Sequence, residues 1–340
     1  KNVSADIQNG VALFNRLFMR GVKDSNSTDD AKYTDEYIIK DFTLTGCISG
    51  VGYTTDGIKN YPVVNNTTTF QTLQNNYYSV GGLVAFHSKN DNSNAKFYNF
   101  ANIHFNDLVI ESTPCAGGAI PFLDAGMVYF NNCNATSLTV RGTGRVGSFI
   151  GTADGANSNP SGLHINANVN DAKTELTNIC IEQKAPTYSG QNDDSNTDGR
   201  NVFAGGIIGS YWGQNAKAEN GTYASFIFNN ITITSDNETG SFIGNRNHYG
   251  IVGGIIGNDE RSMGCVIKDC VIEKTNIQGD VVGGIIGGIR LTSFDSSDFA
   301  RFRVVNCKIN GELANGQPKY SLSGGHIAGG VVGYDGDSAD

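Results

Sequence analysis

Short apolar runs punctuated by glycine recur along most of the chain, and one phrase returns each time. Its copies are Gly81-Gly82-Leu83-Val84, Gly117-Gly118-Ala119-Ile120, Gly205-Gly206-Ile207-Ile208-Gly209, Gly253-Gly254-Ile255-Ile256-Gly257, Gly283-Gly284-Ile285-Ile286-Gly287 and Gly329-Gly330-Val331-Val332-Gly333. Weaker copies are Gly147-Ser148-Phe149-Ile150-Gly151 and Gly240-Ser241-Phe242-Ile243-Gly244. Each reads as a tight turn into a very short strand that glycine ends again. A second phrase falls between them, apolar-x-[Asn/Asp]-apolar-x-apolar. It begins at Phe100, Phe130, Leu176, Phe228, Ile267 and Val304, with Asn102, Asn132, Asn178, Asn230, Asp269 and Asn306 in its third place. Its fourth place holds Ile103, Cys133, Ile179, Ile231, Cys270 and Cys307. This is a strand whose alternate residues point inward past a polar bend.

The two phrases alternate, and their closest copies lie 30 residues apart, as at Gly254 and Gly284. Wider gaps hold polar insertions such as 184–202 and 289–300. A fixed minimum with irregular excess is the signature of a solenoid carrying loop insertions. At ~3.3 Å per extended residue, one minimum period suffices for a full coil of a wide β-helix. Stacking then places Cys133, Cys270 and Cys307 at one inward site and lines up the Asn/Asp positions as a ladder at a corner. An antiparallel sandwich with Gly-rich turns, the alternative, does not require the same two phrases in alternation. The expected fold is therefore an all-β parallel β-helix, with residues 49–340 forming one continuous repeat domain. Insertions at 86–96, 152–162, 210–223, 258–264 and 288–300 follow the first phrase and should form a rim on one side.

Residues 1–48 read differently. Ile7, Val11, Phe14, Leu17 and Phe18 share one face of an amphipathic helix over 5–20. Ser4 or Asp6 can cap its start and Gly21 follows its end. Such a helix would cover the open end of the first coil, and Glu36–Ile48 would supply the first strands. The last repeat, Gly329–Gly333, has no such cover. The expectation is that the natural chain continues past Asp340, or that another subunit stacks end to end there.

Composition narrows the function classes. Charged residues are 17% of the chain, the net charge is −9, and no basic block appears, which argues against nucleic acid. No apolar run approaches the ~18 residues of a membrane span, and the opening does not read as a signal peptide. Seven cysteines without CxxC spacing or a His cluster read as buried free thiols rather than a zinc site, the alternative being one disulfide, Cys265–Cys270.

Individual chemical signals are few. Gly142-Thr143-Gly144-Arg145-Val146-Gly147 fits GxGxxG, but a repeat strand follows where a dinucleotide site needs a helix, so it is a turn. Asp194, Asn196 and Asp198, followed by Gly199, place oxygen donors at alternate positions like the first half of a calcium loop; Gly205 stands where the bidentate Glu would be. Glu182, Glu273 and Asp269 lie on expected strands without a repeated basic partner. Arg290, Arg301 and Arg303 read as an exposed positive face. The five histidines, His87, His104, His164, His248 and His326, are scattered and read as loop or strand-surface residues. Tyr211 and Trp212 open an insertion straight after a repeat strand, and Tyr77 and Tyr78 make a second polar–aromatic spot. As exposed aromatics these four can stack on sugar faces or anchor a protein partner; the alternative for Trp212 is a local minicore.

The Gly-Gly-Ile-Ile-Gly copies resemble the GLUG repeats of bacterial surface and secreted proteins. So does the opening, from Gln8, Leu13-Phe14 and Gly21 to Tyr37-Ile38-Ile39-Lys40-Asp41-Phe42-Thr43-Leu44-Thr45-Gly46. The resemblance covers roughly 5–333 and implies a right-handed parallel β-helix of the pectate-lyase-like class, exported and extracellular or cell-surface. It implies no catalytic residue. The resulting expectation is a non-enzymatic adhesin, stalk or binding module that takes a glycan or a surface protein as partner, with calcium as the one candidate cofactor. The alternatives are a polysaccharide lyase or glycoside hydrolase on the same scaffold, and a self-assembling fibre or surface-layer subunit.

Overall fold

A computed structural model of the chain describes residues 10–16, 38–50, 52–53, 59–60, 79–86, 97–112, 115–123, 126–155, 161–167, 169–184, 202–213, 226–247, 250–260, 264–290, 301–310, 313–314 and 317–335. The regular structure there is all β. One coil runs through the strands Cys115–Gly117, Ile120–Leu123, Gly126–Asn131, Asn134–Thr136 and Thr139–Gly142. The next runs through Arg145–Gly147, Ile150–Gly155, Ser161–Ile165, Thr174–Thr177 and Cys180–Gln183. Every strand of one coil pairs in parallel with its counterpart in the other. This is the organisation of a β-helix or solenoid. The described antiparallel pairs are two local hairpins outside the ladder, so the sandwich alternative falls.

The glycine phrases stack one rung at a time. Gly81 pairs with Gly117, then in turn come Gly147, Gly205, Gly253, Gly283 and Gly329. Glycine is required there by close approach. A Cβ on Gly253 would lie 1.8 Å from the Ile256 carbonyl oxygen within its own turn, and one on Gly254 would lie 2.1 Å from the Gly284 oxygen one rung away. The weaker copy at Gly240–Gly244 is not a coil turn. Ile243 pairs with Ile181 and Ile277 on the fifth strand of the coil, where an apolar inward residue produces the same local spelling.

The second phrase also stacks, with one correction. The column runs Phe100, Phe130, Ile165, Phe228, Ile267 and Val304, so Ile165 takes the place expected of Leu176. Leu176 belongs one bend later, between Ala135 and Ile233. The cause is an excursion between Asn166 and Thr174, which separates the two halves of the phrase in that coil.

Backbone conformation explains the polar position. Asp41, Asn102, Asn132, Asn166, Asn230, Asp269 and Asn306 all have φ between 52° and 61°. Asn and Asp tolerate this left-handed region better than other residues with a Cβ. Asn178, also left-handed at φ 57°, sits at a second bend and not in this column. The ladder expected along the corner is present. The Asn132 amide donates to the Asn102 oxygen at 2.9 Å, and that of Asn102 to Asp41 at 2.8 Å. Asn132→Gly keeps the conformation and loses only the exposed bond to Asn102, whereas Asn132→Ala loses that bond and strains the left-handed backbone. The alanine variant should therefore be less stable than the glycine variant by about 1 kcal/mol in urea denaturation, the reverse of the usual order.

Cysteines occupy the position after the left-handed residue, turned inward as expected. Each thiol donates weakly to the carbonyl two residues earlier: Cys133 to Asn131 at 3.5 Å, Cys270 to Lys268 at 3.2 Å and Cys307 to Val305 at 3.4 Å. All seven cysteines are free thiols. Cys265 pairs with Phe226 and Phe302 on the strand before the bend, in a different column from Cys270, so the Cys265–Cys270 disulfide does not form.

The described part of the expected capping helix, residues 10–16, is not helical. Gly10–Val11 and Phe14–Arg16 are strands that pair in parallel with Ser79–Val80 and with Val84 and Phe86. The apolar spacing fits a helix, but the next coil presents unpaired backbone to Val11 and Phe14, and the ladder wins over local periodicity. At the other end of the described stack, Val304, Val305, Ile327, Val331 and Tyr334 remain exposed.

Candidate functional site

The densest chemistry among the described residues lies on the fifth strand of the coils. The inward residues there are Ile48, Ile110, Val140, Ile181 and Ile243, stacked through the core. Strand alternation puts the following residue on the other face. That outer column reads Ser49, Glu111, Arg141, Glu182, Gly244. Parallel in-register stacking sets these positions about 4.8 Å apart. A run of like charges would repel, and acid, base, acid in succession attracts.

Arg141 bridges its neighbours. Its Nε donates to Glu182 Oε2 at 3.1 Å and its Nη1 to Glu111 Oε1 at 3.4 Å. Two more cations reach Glu182 Oε1, Lys184 Nζ at 2.7 Å and Arg246 Nε at 3.1 Å. The Arg246 guanidinium also lies 4.2 Å from the centre of the Phe242 ring. Both carboxylates are buried. An amide chain closes the adjoining corner: Gln183 Nε2 donates to the Thr143 carbonyl at 2.9 Å, and Asn245 Nδ2 donates to Gln183 Oε1.

Burial on its own raises the Glu182 carboxyl. The hydrogen bond and charge of Lys184, the charge of Arg246 and the bond from Arg141 outweigh it and hold the group below the ordinary value of 4.5. Burial, reinforced by the Glu182 charge, pushes the neighbouring Cys180 thiol up. A carboxyl depressed on folding adds stability that is complete above the unfolded value and disappears as pH falls through the folded one. Glu182→Gln should therefore cost roughly 1–2 kcal/mol at pH 7, discounted for the solvent exposure of Lys184 and Arg246. The gap to the wild type should narrow as pH falls below the ordinary carboxyl value of 4.5 and vanish once the folded group is protonated, when urea midpoints are compared.

Two carboxylates flanking a base invite comparison with glycoside hydrolysis. Glu111 and Glu182 stand two rungs apart along the stack, and one guanidinium, that of Arg141, bonds both carboxylates. The Arg141 guanidinium fills the space where the attacking water would stand. Glu182 is pulled below its ordinary value, whereas a general acid must be pushed above it. The cluster anchors three cations over two buried carboxylates.

The structure places the sequence candidates as follows. Tyr211 is buried and packs on Phe226, ring centres 4.3 Å apart, so it is a core residue and not an exposed loop anchor. It pairs with Ala153 and Asp259 on the second strand of the coil, and alternation turns it inward. Trp212 continues that strand, opposite Asp154 and Glu260; its side chain lies outside the described residues. Tyr77, Tyr78, Asp194, Asn196 and Asp198 also lie outside them, as do His87 and His248. Among the described residues no group of three or more His, Cys, Asp or Glu is placed to hold a metal ion. The described second strands end in register, so the insertions after 155, 213, 260 and 290 leave the coil at one place.

Glu182 has the basic partners that sequence reasoning denied it. Slipping the coil of Arg145–Gln183 by one bend, as the Leu176 reading does, hides Arg141 from Glu182, and the register through Ile165 brings them together. Glu273 accepts from Thr234 at 3.2 Å, and Asp269 takes part in the corner ladder with Asn306. Arg303 is exposed, while the side chains of Arg290 and Arg301 lie outside the described residues. His104 bonds Thr136 at 3.0 Å, His164 meets the Tyr129 ring edge-on at 5.1 Å, and His326 contacts Asp280.

No known family's sequence profile matches this chain, and no curated protein matches it. Among solved structures, similarity was found to a chain described as a "putative immunoglobulin A1 protease from Bacteroides ovatus". The two share 14% identity and a TM-score of 0.36 over 89% of this chain and 68% of that one, a likeness too slight to assign a fold or an activity.

Proposed function

We propose that this chain is a right-handed parallel β-helix of the GLUG-repeat, pectate-lyase-like type that acts outside the cell as a non-enzymatic stalk or binding module. Right-handed crossover is the rule for parallel strands joined within a sheet. The stacked apolar columns, continuous from coil to coil, supply stiffness, because each coil is braced by both neighbours. The observation that carries the reading is the state of the stacked carboxylates. Glu111 and Glu182, the pair flanking a base, are buried and neutralised by Arg141, Lys184 and Arg246. That arrangement holds cations in place for contact and keeps the Glu182 carboxyl below its ordinary value, in its charged form.

The test is a glycan array run in parallel with a polysaccharide-degradation screen on the same preparation. Binding without release of reducing ends or unsaturated products is the expected result. Turnover of any polysaccharide would overturn the non-enzymatic reading.

A further inference from the structure

We propose that Cys270 and Cys307 are a reversible dithiol–disulfide pair, which a small disulfide such as oxidised glutathione converts into a covalent staple between two neighbouring coils.

Position singles these two out. The ladder pairs Lys268 with Val305 just before them and Val271 with Lys308 just after, so Cys270 and Cys307 occupy the same place on successive rungs. The Lys308 amide donates to the Cys270 carbonyl at 2.8 Å, which fixes the two backbones against each other. None of the other five cysteines has a cysteine on a neighbouring rung.

The spacing suits a bond. In-register parallel strands hold facing Cα atoms about 4.8 Å apart, within the roughly 4.4–6.8 Å that disulfides span. Both thiols lean towards the preceding coil. Cys270 Sγ lies 3.7 Å from the Phe228 carbonyl oxygen, and Cys307 Sγ lies 3.5 Å from that of Ile267, on the coil that carries Cys270. The two thiols also hydrogen-bond to each other.

Their surroundings divide the labour. Cys270 is buried, whereas Cys307 is partly exposed. Its strand, Lys308–Asn310, pairs on one side only among the described residues, so a reagent can approach from the end of the stack. The bond from Cys270 pulls the Cys307 thiol down to about 6, against burial and the nearby Asp269 charge. The same bond, together with burial, pushes Cys270 up. Cys307 is therefore the attacking thiolate and Cys270 the thiol that resolves.

The exchange balances in two steps. The Cys307 thiolate attacks one sulfur of oxidised glutathione, and the sulfur–sulfur bond breaks to release one glutathione, which takes up a proton. The Cys270 sulfur then gives up its proton and attacks Cys307 in the mixed disulfide, and the second glutathione leaves with that proton. Two protein thiols are oxidised and one small disulfide is reduced to two thiols.

The place matters for the solenoid. Each coil is braced by its neighbours, and this one leaves Val304 and Val305 exposed. A covalent bond across the corner supplies bracing that no further described coil provides. It also closes the chain between 270 and 307 into a loop, which restricts the unfolded state.

Peptide mass mapping of the whole protein, without reductant and after incubation with oxidised glutathione, tests the pair. Expected is one cross-link, joining the Cys270 and Cys307 peptides and reversed by dithiothreitol. Amide exchange at Lys308 should be at least tenfold slower in the oxidised protein than in the reduced one. Cys270→Ser should trap a glutathione adduct on Cys307 at least tenfold more abundantly than the wild type does, and Cys307→Ser should leave Cys270 unmodified. The wild-type measurements decide the matter even if a variant folds poorly. Both thiols staying free, a lasting adduct on wild-type Cys307, a link from either residue to another cysteine, or Lys308 exchange indifferent to oxidation would overturn the proposal.

Discussion

Gly254→Ala is expected to destabilise the protein by about 3 kcal/mol, whereas Gly330→Ala, at the same place in the repeat, should be neutral or slightly stabilising. The added methyl is identical and the surroundings differ. At Gly254 the new Cβ would stand 2.1 Å from the Gly284 carbonyl oxygen and 2.5 Å from Ile272 Cδ1. The ethyl end of Ile272 can turn away. The oxygen cannot, because it is main chain one rung distant, and the Gly254 and Ile255 amides bond to that neighbouring coil at 3.3 and 2.9 Å. Relief requires prising two coils apart locally. At Gly330 nothing lies within 4 Å of the Cβ, so the methyl only restricts the unfolded chain. Ser148 shows what the column accepts: it holds a Cβ between the turns of Gly118 and Gly206, and its buried hydroxyl has no hydrogen-bond partner. Chemical denaturation of the two variants side by side measures the contrast, and equal losses would show that glycine serves local turn conformation and not coil-to-coil approach.

Much of this architecture is legible in the sequence because its causes are local and repeated. A doubled glycine stands at the close approaches of the coils, with Gly147-Ser148 the one departure among the described turns, and Asn or Asp wherever this corner turns left-handed. Both therefore recur at each coil and can be read without coordinates. Three things are not legible for the same reason. Val11 and Phe14 have helical spacing, and only the unpaired edge at Ser79–Phe86 makes them strands. Ile165 lacks the rest of its phrase because the excursion after Asn166 divides the bend, and Leu176 imitates it. The Glu111–Arg141–Glu182 column then disappears from view, since it exists only when three coils are in the right register. Tyr211 fails differently. Its neighbours in sequence suggest a loop, but pairing with Ala153 continues the strand far enough to bury it.

Phe130→Ala should cost about 3–5 kcal/mol, the range for emptying an aromatic site that cannot collapse. Phe130 is fully buried, its ring stacked 5.0 Å from Phe100 in the preceding coil and 4.8 Å from Phe149. Phe149 belongs to the glycine turn of the following coil and also meets Phe105 edge-on at 5.9 Å. One ring thus joins two coils along the axis and two walls across it. The surrounding backbone is fixed by parallel pairing on both sides, from Phe97–Ala101 and Ser161–Ile165, so the cavity cannot close by a shift of one strand. In a stack held by nearest-neighbour contacts the loss should spread to both adjacent coils. Native-state hydrogen exchange should show protection falling together at Phe100, Phe130 and Ile165 while Ile267 changes little. Val304→Ala, in the same column but 37% exposed at the end of the described stack, should cost under about 1 kcal/mol. If Phe130→Ala and Val304→Ala cost the same, the core is not a continuous column, and the stiffness assigned to the coils would have to come from the hydrogen-bonded ladders alone.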